Sequence, residues 1–489
     1  MKNIVLLGGS NSVMKKGLQS GLNQENIKLS NLALGGSDAL QNLYELKRER
    51  NKELIKNADL IISESNINDS IALNSKIQLS IEIIYRNLYL FYNELSTLNT
   101  KILIILLPNG SYRNYKIINK IHLMFIAKFN FNFIDMQKYY EENYLEFFMR
   151  AGDIAHQHFC IMEDLGLNIA KNVNCFLTHQ VSSSNNIDFK ICIPNEFIGE
   201  SVEYNDLKNS QFYERVYILK TGQKFYFNSK FKDYFLIGFH AWFMDGNNLG
   251  DFENIRISKL QISNKNNTLF VELVNSYAVF NNIEEMDFVI DESSFLEVKP
   301  LKSIFGENKE FHLIALFLVK TNKELLHWDE DLIQKDFNLA QSHDFSRLIP
   351  TIEKYKFVLE YYFNRFVFNN SHSKNRYFIY ELGKYLAEEK KGIFAKMNMI
   401  IKIPELHIRE LREIIISWFL VKRLKKLHLY DLLEKTEDEK ENLKIKQNYF
   451  YRLGELFIRA NKRFYKGGWI WFFFELKKLK KEFNEKLKK

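Results

Sequence analysis

Short apolar runs alternate with amphipathic stretches over residues 1–175, and this alternation constrains the fold more than any other feature of the sequence. The clearest run is Lys101–Leu107, which the turn sequence Pro108-Asn109-Gly110 ends. Strands of this kind, separated by helices, form a parallel sheet covered on both faces. We therefore predict a doubly wound parallel α/β domain over 1–175. Its other predicted elements are strands at Ile4–Leu7, Leu32–Leu34, Leu60–Ile62 and Phe131–Ile134 and helices at Ile71–Leu95 and Met162–Ala170.

The pattern changes near residue 176. From 176 to 322, short segments such as Phe189–Ile193 and Leu269–Leu273 alternate apolar with polar residues, and polar turns separate them. This spacing predicts a β-sandwich domain. Residues 323–461 have a helical periodicity and predict an α-helical C-terminal domain, followed by a tail over 462–489.

The charge of the chain is concentrated in that tail. The 489 residues carry a net charge of +8, of which the tail supplies +7 through ten Lys and Arg and three Glu, so +1 remains for the body. A broad basic surface for nucleic acid is therefore not expected. Three cysteines without metal-site spacing argue against a disulfide framework, and the sequence predicts neither a signal peptide nor a spanning helix, so we expect a cytoplasmic protein.

The tail itself has the pattern of an interfacial helix. Apolar side chains recur on one helical face, and lysines lie mostly elsewhere. This pattern predicts binding to the anionic inner face of the cell membrane. Docking of the same helix on the body satisfies the same pattern. The residues assigned to membrane binding are Trp469, Trp471, Phe472, Lys477, Lys478, Lys480 and Lys481.

Four short segments follow strands or lie near the end of the first domain. They contain Ser10, Gly36, Asn68 and the sequence Asp153-Ile154-Ala155-His156. The carboxyl edge of an open α/β sheet is where ligands bind. There a serine with a nearby base is a candidate nucleophile, an Asp can orient a His, and amide groups can hold an oxyanion.

Each segment alone also has a simpler interpretation. The Gly, Ser, Asn and Asp residues are those that turns and helix N-caps prefer. His156 and His158 have the spacing of a metal pair, but no nearby Cys or further His completes a ligand set, so no metal site is predicted.

Taken together and in this order, the segments resemble the SGNH (GDSL-like) hydrolase family over residues 1–172. The resemblance implies Ser10 as nucleophile, His156 as base and Asp153 as its partner. It places the Ser10 amide, Gly36 and Asn68 in the oxyanion hole and implies no cofactor. Gly9 departs from the family's usual Gly-Asp-Ser. The sequence Glu64-x-x-x-Asn68-Asp69 is similar to members tied to polysaccharide modification.

The resemblance implies a serine esterase or O-acyltransferase. We expect it to modify a bacterial surface or capsular polysaccharide or its precursor, with a glycan or lipid-linked saccharide as substrate. One alternative is transfer of another group, of glycosyl, phosphoryl or phosphoramidate type, onto capsular sugar. A second is a non-catalytic glycan-binding or assembly protein.

Overall fold

The computed structural model describes residues 1–355 and Lys478, apart from 75–78, 110–113, 144, 146–154, 183–186, 200, 210, 243–256, 275–278, 304–305, 327 and 329–336. The chain divides into two compact units, Met1–Leu359 and Glu360–Lys489. The first unit contains all the described residues except Lys478. Most of the predicted helical domain and the tail lie outside the described residues, where Lys478 alone is seen to be helical and exposed.

A five-stranded parallel sheet forms the N-terminal part, as predicted. Its strands lie in the order β2-β1-β3-β4-β5. The order reverses between β1 and β3, and the carboxyl ends of these two strands therefore form the topological switch point at which ligands bind in such sheets. The strands are β1 (Lys2–Gly8), β2 (Ile27–Asn31), β3 (Leu60–Glu64), β4 (Lys101–Leu106) and β5 (Asn132–Asp135).

Helices separate these strands. The single helix predicted over Ile71–Leu95 is two helices, and Ser80 caps the second because its Oγ accepts the N–H of Ile83 at 3.4 Å. The helix predicted near Met162 is present and extends from Phe159. The α-helices are α1 (Ser10–Val13), α2 (Leu18–Leu22), α3 (Ala39–Lys47), α4 (Lys52–Lys56), α5 (Asn66–Asn74), α6 (Ile81–Ser96), α7 (Tyr115–Phe129), α8 (Met136–Glu142) and α9 (Phe159–Lys171).

The second strand lies earlier than its apolar run indicated. We predicted Leu32–Leu34, whereas β2 spans Ile27–Asn31. This strand is at the sheet edge and only partly buried, so it has no continuous apolar run to reveal it. The predicted segment continues along β1, since the N–H of Leu32 donates to the carbonyl of Leu6 at 2.8 Å. It thus leads the chain toward the carboxyl end of β1.

Antiparallel sheets follow, as predicted for 176–322. A six-stranded sheet has the order β13-β10-β17-β8-β7, with β6 also paired to β17, and a four-stranded sheet has the order β12-β11-β14-β9. Leu219, Leu296 and Phe311 belong to one buried core that both sheets share. The strands are β6 (Asp188–Cys192), β7 (Glu203–Lys208), β8 (Tyr213–Lys220), β9 (Lys224–Tyr226), β10 (Phe235–Ala241), β11 (Ile257–Ser263), β12 (Thr268–Val274), β13 (Val279–Asn282), β14 (Phe295–Lys299), β15 (Leu301–Ser303), β16 (Gly306–Asn308) and β17 (Glu310–Lys320).

The six-stranded sheet packs on the parallel domain through apolar and charged contacts. Tyr44 of α3 lies against Phe280 and Phe317, with ring centroids 4.8 and 5.5 Å away. Beside this cluster the guanidinium of Arg48 donates two hydrogen bonds, of 2.7 and 2.6 Å, to the buried carboxylate of Glu214 on β8. A planar, two-point ion pair of this kind fixes orientation as well as distance. The two parts are therefore held in one relative position.

Residues 337–355 return to the parallel sheet. The N–H of Phe345 donates to the carbonyl of Phe133 in β5 at 2.8 Å, and the Ser346 hydroxyl accepts the N–H of Asp135 at 3.0 Å. Where the helical domain was predicted to begin, the described residues form short 3-10 turns and irregular chain. Contact with β5 explains part of the difference, because the backbone of Phe345 pairs with a strand instead of with its own helix.

Candidate active site

Ser10 and His156 meet at the switch point of the parallel sheet. Ser10 is the first residue of α1, which begins directly after β1 and the extended residue Gly9. His156 lies between α8 and α9 in the sequence. Its Nε2 is 2.6 Å from the Ser10 Oγ, a hydrogen-bonding distance, and both residues are partly exposed. The fold thus brings together two side chains that are far apart in the sequence.

A buried carboxylate lies under the turn that carries Ser10. Glu64 ends β3 and pairs in register with Gly8 of β1. Its Oε1 accepts hydrogen bonds from the Gly9 N–H and the Ser12 hydroxyl, each at 2.9 Å. Burial raises the pKa of Glu64 to about 7, although these hydrogen bonds oppose the shift. Glu64 therefore holds the backbone before Ser10 and the Ser12 side chain after it.

Asn68 lies against Gly9, the residue that departs from the Gly-Asp-Ser pattern. The Asn68 side-chain amide donates to the carbonyl of Ser37 at 2.7 Å. A Cβ built on Gly9 would lie 1.8 Å from the Asn68 Nδ2, inside any van der Waals contact. Glycine at position 9 therefore lets the Asn68 amide approach the backbone next to Ser10.

The loop after β2 passes beside the same serine. A Cβ built on Gly35 would lie 4.0 Å from the Cβ of Ser10. Gly36 has a φ of +74°, a left-handed conformation that glycine adopts without strain. A Cβ built on Gly36 would meet no described atom within 4 Å, so this residue borders open space. Three sequence-predicted residues, Ser10, Gly36 and Asn68, thus lie in neighbouring segments of one sheet edge.

Asn11 holds the segment that carries His156. Its Nδ2 donates to the carbonyl of Ala155 at 2.9 Å, and its Oδ1 accepts the N–H of Gln157 at 2.9 Å. These are the peptide groups on either side of His156. The Gln157 side chain in turn donates to the carbonyl of Pro108, after β4, at 3.1 Å. The backbone of His156 is therefore tied to α1 and to the end of β4.

Of the predicted triad, Asp153 lies outside the described residues. Sequence reasoning missed the parts that Glu64 and Asn11 play around Ser10. A polar end on a buried strand was the available signal for Glu64. Asn11 gave none, because its partners lie in a segment some 145 residues away.

Two other described histidines, His158 and His122, have different roles. His158 caps α9, since its Nδ1 accepts the Cys160 N–H at 3.4 Å, and burial lowers its pKa. His122 is buried between Asp69, at 3.0 Å, and the hydroxyl of Tyr92, at 2.8 Å. Across the described ranges, no three His, Cys, Asp or Glu side chains are grouped so as to hold a metal ion.

Comparisons with known proteins cover different parts of the chain. A family model described as a domain of unknown function (DUF8374) matches residues 307–485, less than half of the chain, and includes β17. No curated protein matches. Within the described part of the chain, no helix has the length and apolarity needed to cross a membrane.

Solved structures similar to the chain include lipases and acetyl xylan esterases. A lipase/acylhydrolase from Enterococcus faecalis is 20% identical, with a TM-score of 0.30, over 36% of this chain and 98% of that one. A variant of the acetyl xylan esterase Axe2 from Geobacillus stearothermophilus is 15% identical, with a TM-score of 0.28, over 32% and 88%. A lipase from a goat rumen metagenome is 16% identical, with a TM-score of 0.26, over 33% and 93%.

Proposed function

We propose that this protein cleaves or transfers an acyl ester through Ser10. The observation that carries the proposal is the 2.6 Å separation between the Ser10 Oγ and the His156 Nε2. A serine hydroxyl is a weak nucleophile until an adjacent base takes its proton, and the geometry required of that base is hydrogen-bonding distance.

In the proposed reaction, His156 accepts the Ser10 proton while the Ser10 oxygen bonds to the ester carbonyl carbon. The tetrahedral intermediate collapses, the bond to the alcohol oxygen breaks, and His156 returns the proton to that oxygen. Water or a sugar hydroxyl then gives its proton to His156 as its oxygen bonds to the acyl carbon. The bond between that carbon and the Ser10 oxygen breaks, and His156 returns the proton to Ser10. We assign Asp153, from the family resemblance, to orienting the His156 ring.

Three donors are proposed to hold the oxyanion: the Ser10 amide, the Gly36 amide and the side chain of Asn68. What supports this assignment is the position of Ser10 at the first turn of α1, the open space at Gly36 and the orientation of Asn68. One N–H of the Asn68 amide is used by the carbonyl of Ser37. Its second N–H has no acceptor among the described residues and is proposed to serve the substrate.

The proposed substrate is an acyl ester on a glycan, either a bacterial surface polysaccharide or a precursor of one. The support for this class is the resemblance that the Glu64-x-x-x-Asn68-Asp69 segment bears to polysaccharide-modifying members of the family. Hydrolysis and transfer use the same acyl-enzyme and differ only in the acceptor.

The test uses 4-nitrophenyl acetate and a serine-directed phosphonate. We expect Ser10→Ala to abolish turnover and labelling, and Ser20→Ala to preserve both, because Ser20 lies in α2 and its hydroxyl bonds Glu163. Labelling of Ser10→Ala at the wild-type rate would refute the assignment. Adding oligosaccharide acceptors then separates the two reactions, since transfer yields an acylated sugar in place of free acetate.

A further inference from the structure

The turn that joins β7 to β8 connects the antiparallel sheet to the candidate active site. The turn closes through the Asn209 N–H, which donates to the carbonyl of Phe212 at 2.9 Å. From this turn the Gln211 side chain donates to the carbonyl of Ala33 at 2.6 Å. Ala33 belongs to the segment that runs on to Gly35, beside Ser10. The hairpin therefore begins next to the site and extends away from it.

One face of this hairpin packs against the interior of the protein. Glu214 and Val216 of β8 are buried, the first in the ion pair with Arg48 and the second in the apolar core shared with the parallel domain. Because side chains alternate along a strand, Tyr213 and Arg215 lie on the opposite face. The pairing of Arg215 with Asp206 and of Tyr217 with Tyr204 places the alternate residues of β7 beside them.

We name this face the hairpin strip and define it as Tyr204, Asp206, Lys208, Tyr213, Arg215 and Tyr217, of which Tyr217 is buried. Tyr213 is 57% exposed and Tyr204 is 48% exposed, which is high for aromatic side chains on a sheet. The buried ring of Tyr217 supports Tyr204, with their centroids 6.0 Å apart. Exposed aromatic side chains held in fixed positions mark binding surfaces more often than isolated apolar residues do.

The polar groups of the strip are held in place by one another. The Arg215 Nε donates to the Asp206 carboxylate at 3.2 Å, and its guanidinium lies 4.2 Å from the centre of the Tyr204 ring. Lys208, which pairs in register with Tyr213, is exposed at the turn end of the same face. Because Arg215 is matched by Asp206, Lys208 leaves the strip with a net charge of +1, whereas a phosphate backbone or an anionic membrane requires several unpaired positive charges.

From this arrangement we infer that the hairpin strip binds an uncharged or weakly charged glycan chain and leads it to Ser10. Aromatic faces pack against the C–H groups of sugar rings, and a paired Arg and Asp offer donors and acceptors to sugar hydroxyls. Tyr204 pairs in register with Tyr217, which lies four residues from Tyr213 along β8. Tyr204 and Tyr213 are therefore about 13 Å apart along the strands, roughly the length of two or three linked sugars. The inference deepens the proposed function and rests on it.

The experiment measures glycan binding and catalysis separately on the full chain. Wild-type protein, the double variant Tyr204→Ala/Tyr213→Ala and the control Phe270→Ala are applied to an array of bacterial and plant oligosaccharides ranging from single sugars to longer chains. Phe270 is a matched control because it is an exposed aromatic on β12, 56% exposed and also beside a lysine. All three are assayed with 4-nitrophenyl acetate, which carries no sugar.

We expect wild type and Phe270→Ala to bind longer oligosaccharides in preference to single sugars. The double variant should bind them about tenfold more weakly or worse while keeping its rate on 4-nitrophenyl acetate. Absence of oligosaccharide binding by wild type, equal binding by the double variant, or equal loss in the control would each overturn the inference. Failure of the proposed function is a different result: turnover that survives Ser10→Ala.

Discussion

The carboxylate of Glu64 accepts the backbone N–H of Gly9 at 2.9 Å, directly under the turn that presents Ser10. A second hydrogen bond, from Ser12, reaches the same oxygen. Glu64, at the end of β3, thus fixes the backbone that follows the neighbouring strand β1. Burial raises the pKa of Glu64 to about 7.

Glu64 should make the protein less stable as the pH rises. The unfolded carboxyl loses its proton near its ordinary value of 4.5, whereas the folded one keeps it to about 7. Between these values the folded state binds more protons, so the free energy of unfolding falls, by on the order of 3 kcal/mol across the window. Glu64→Gln keeps an acceptor for Gly9 and should remove this fall. Urea unfolding from pH 4 to 8 measures it, with the exposed Glu142→Gln as control. An unchanged slope in Glu64→Gln would exclude Glu64 as its source.

Removal of the Asn11 side chain should slow the chemical step. In Asn11→Ala the peptide groups flanking His156 lose both side-chain hydrogen bonds, so the imidazole is less well placed against Ser10. We expect kcat for 4-nitrophenyl acetate to fall about ten- to hundredfold with KM little changed, because small misplacements of a base are costly. Asn172→Ala, which removes a bond at the end of α9, is the control. A rise in KM at constant kcat would assign Asn11 to substrate binding instead.

Gly9→Ala should disrupt the site, whereas Gly35→Ala should not. The added methyl of the first variant would lie 1.8 Å from the Asn68 amide, while that of the second would meet its nearest atom, in Ser10, at 4.0 Å. Overpacking of this kind typically costs about 1–3 kcal/mol and displaces the side chain that is struck. Phosphonate labelling and thermal unfolding are measured on both variants. Full labelling of Gly9→Ala would show that Asn68 can move aside without loss.

Arg48→Ala should destabilise the first unit strongly. Burial alone would raise the pKa of Glu214, but the hydrogen bonds from Arg48 lower it on balance, so this pair stabilises the fold at neutral pH and is lost as the pH falls through the lowered value. In this variant the buried Glu214 carboxylate keeps the half-exposed Arg50 as its remaining partner. The free energy of unfolding in urea should therefore fall by about 3–5 kcal/mol. Adding Glu214→Gln should restore part of that loss. Additive losses in the double variant would show that the two side chains act independently.

The lysines of the tail predict membrane binding that depends on charge. Replacing Lys477, Lys478, Lys480 and Lys481 with Gln should weaken co-sedimentation of the full chain with anionic vesicles, since each lysine near such a surface contributes about 1 kcal/mol. Neutral vesicles and high salt are the controls. Equal binding by wild type and variant to anionic vesicles would favour a tail that docks on the protein.

Much of the parallel domain could be predicted from sequence because its strands are buried on both faces. Every residue of Ile102–Leu107 is buried, so no polar position interrupts the run and its length and type are evident. The edge strand β2 is half solvated and was placed several residues too late. Asn66, Asn68 and Asp69 similarly read as one polar segment, although their side chains bond to three different places. These are the Leu107 carbonyl after β4, the Ser37 carbonyl after β2 and the His122 ring, respectively.

By itself the sequence determined the order of the strands and helices and the residue types available at the carboxyl edge of the parallel sheet, because hydrophobic periodicity and turn chemistry act over short distances. Only the tertiary structure decided which of those residues meet. The 2.6 Å contact of Ser10 with His156, the support of Ser10 by Glu64 and the hydrogen bond from Gln211 in the β7–β8 turn to Ala33 all join segments distant in the chain. Such contacts depend on the parallel pairing of β1 with β3 and on the packing of one sheet on another, and no local pattern encodes either.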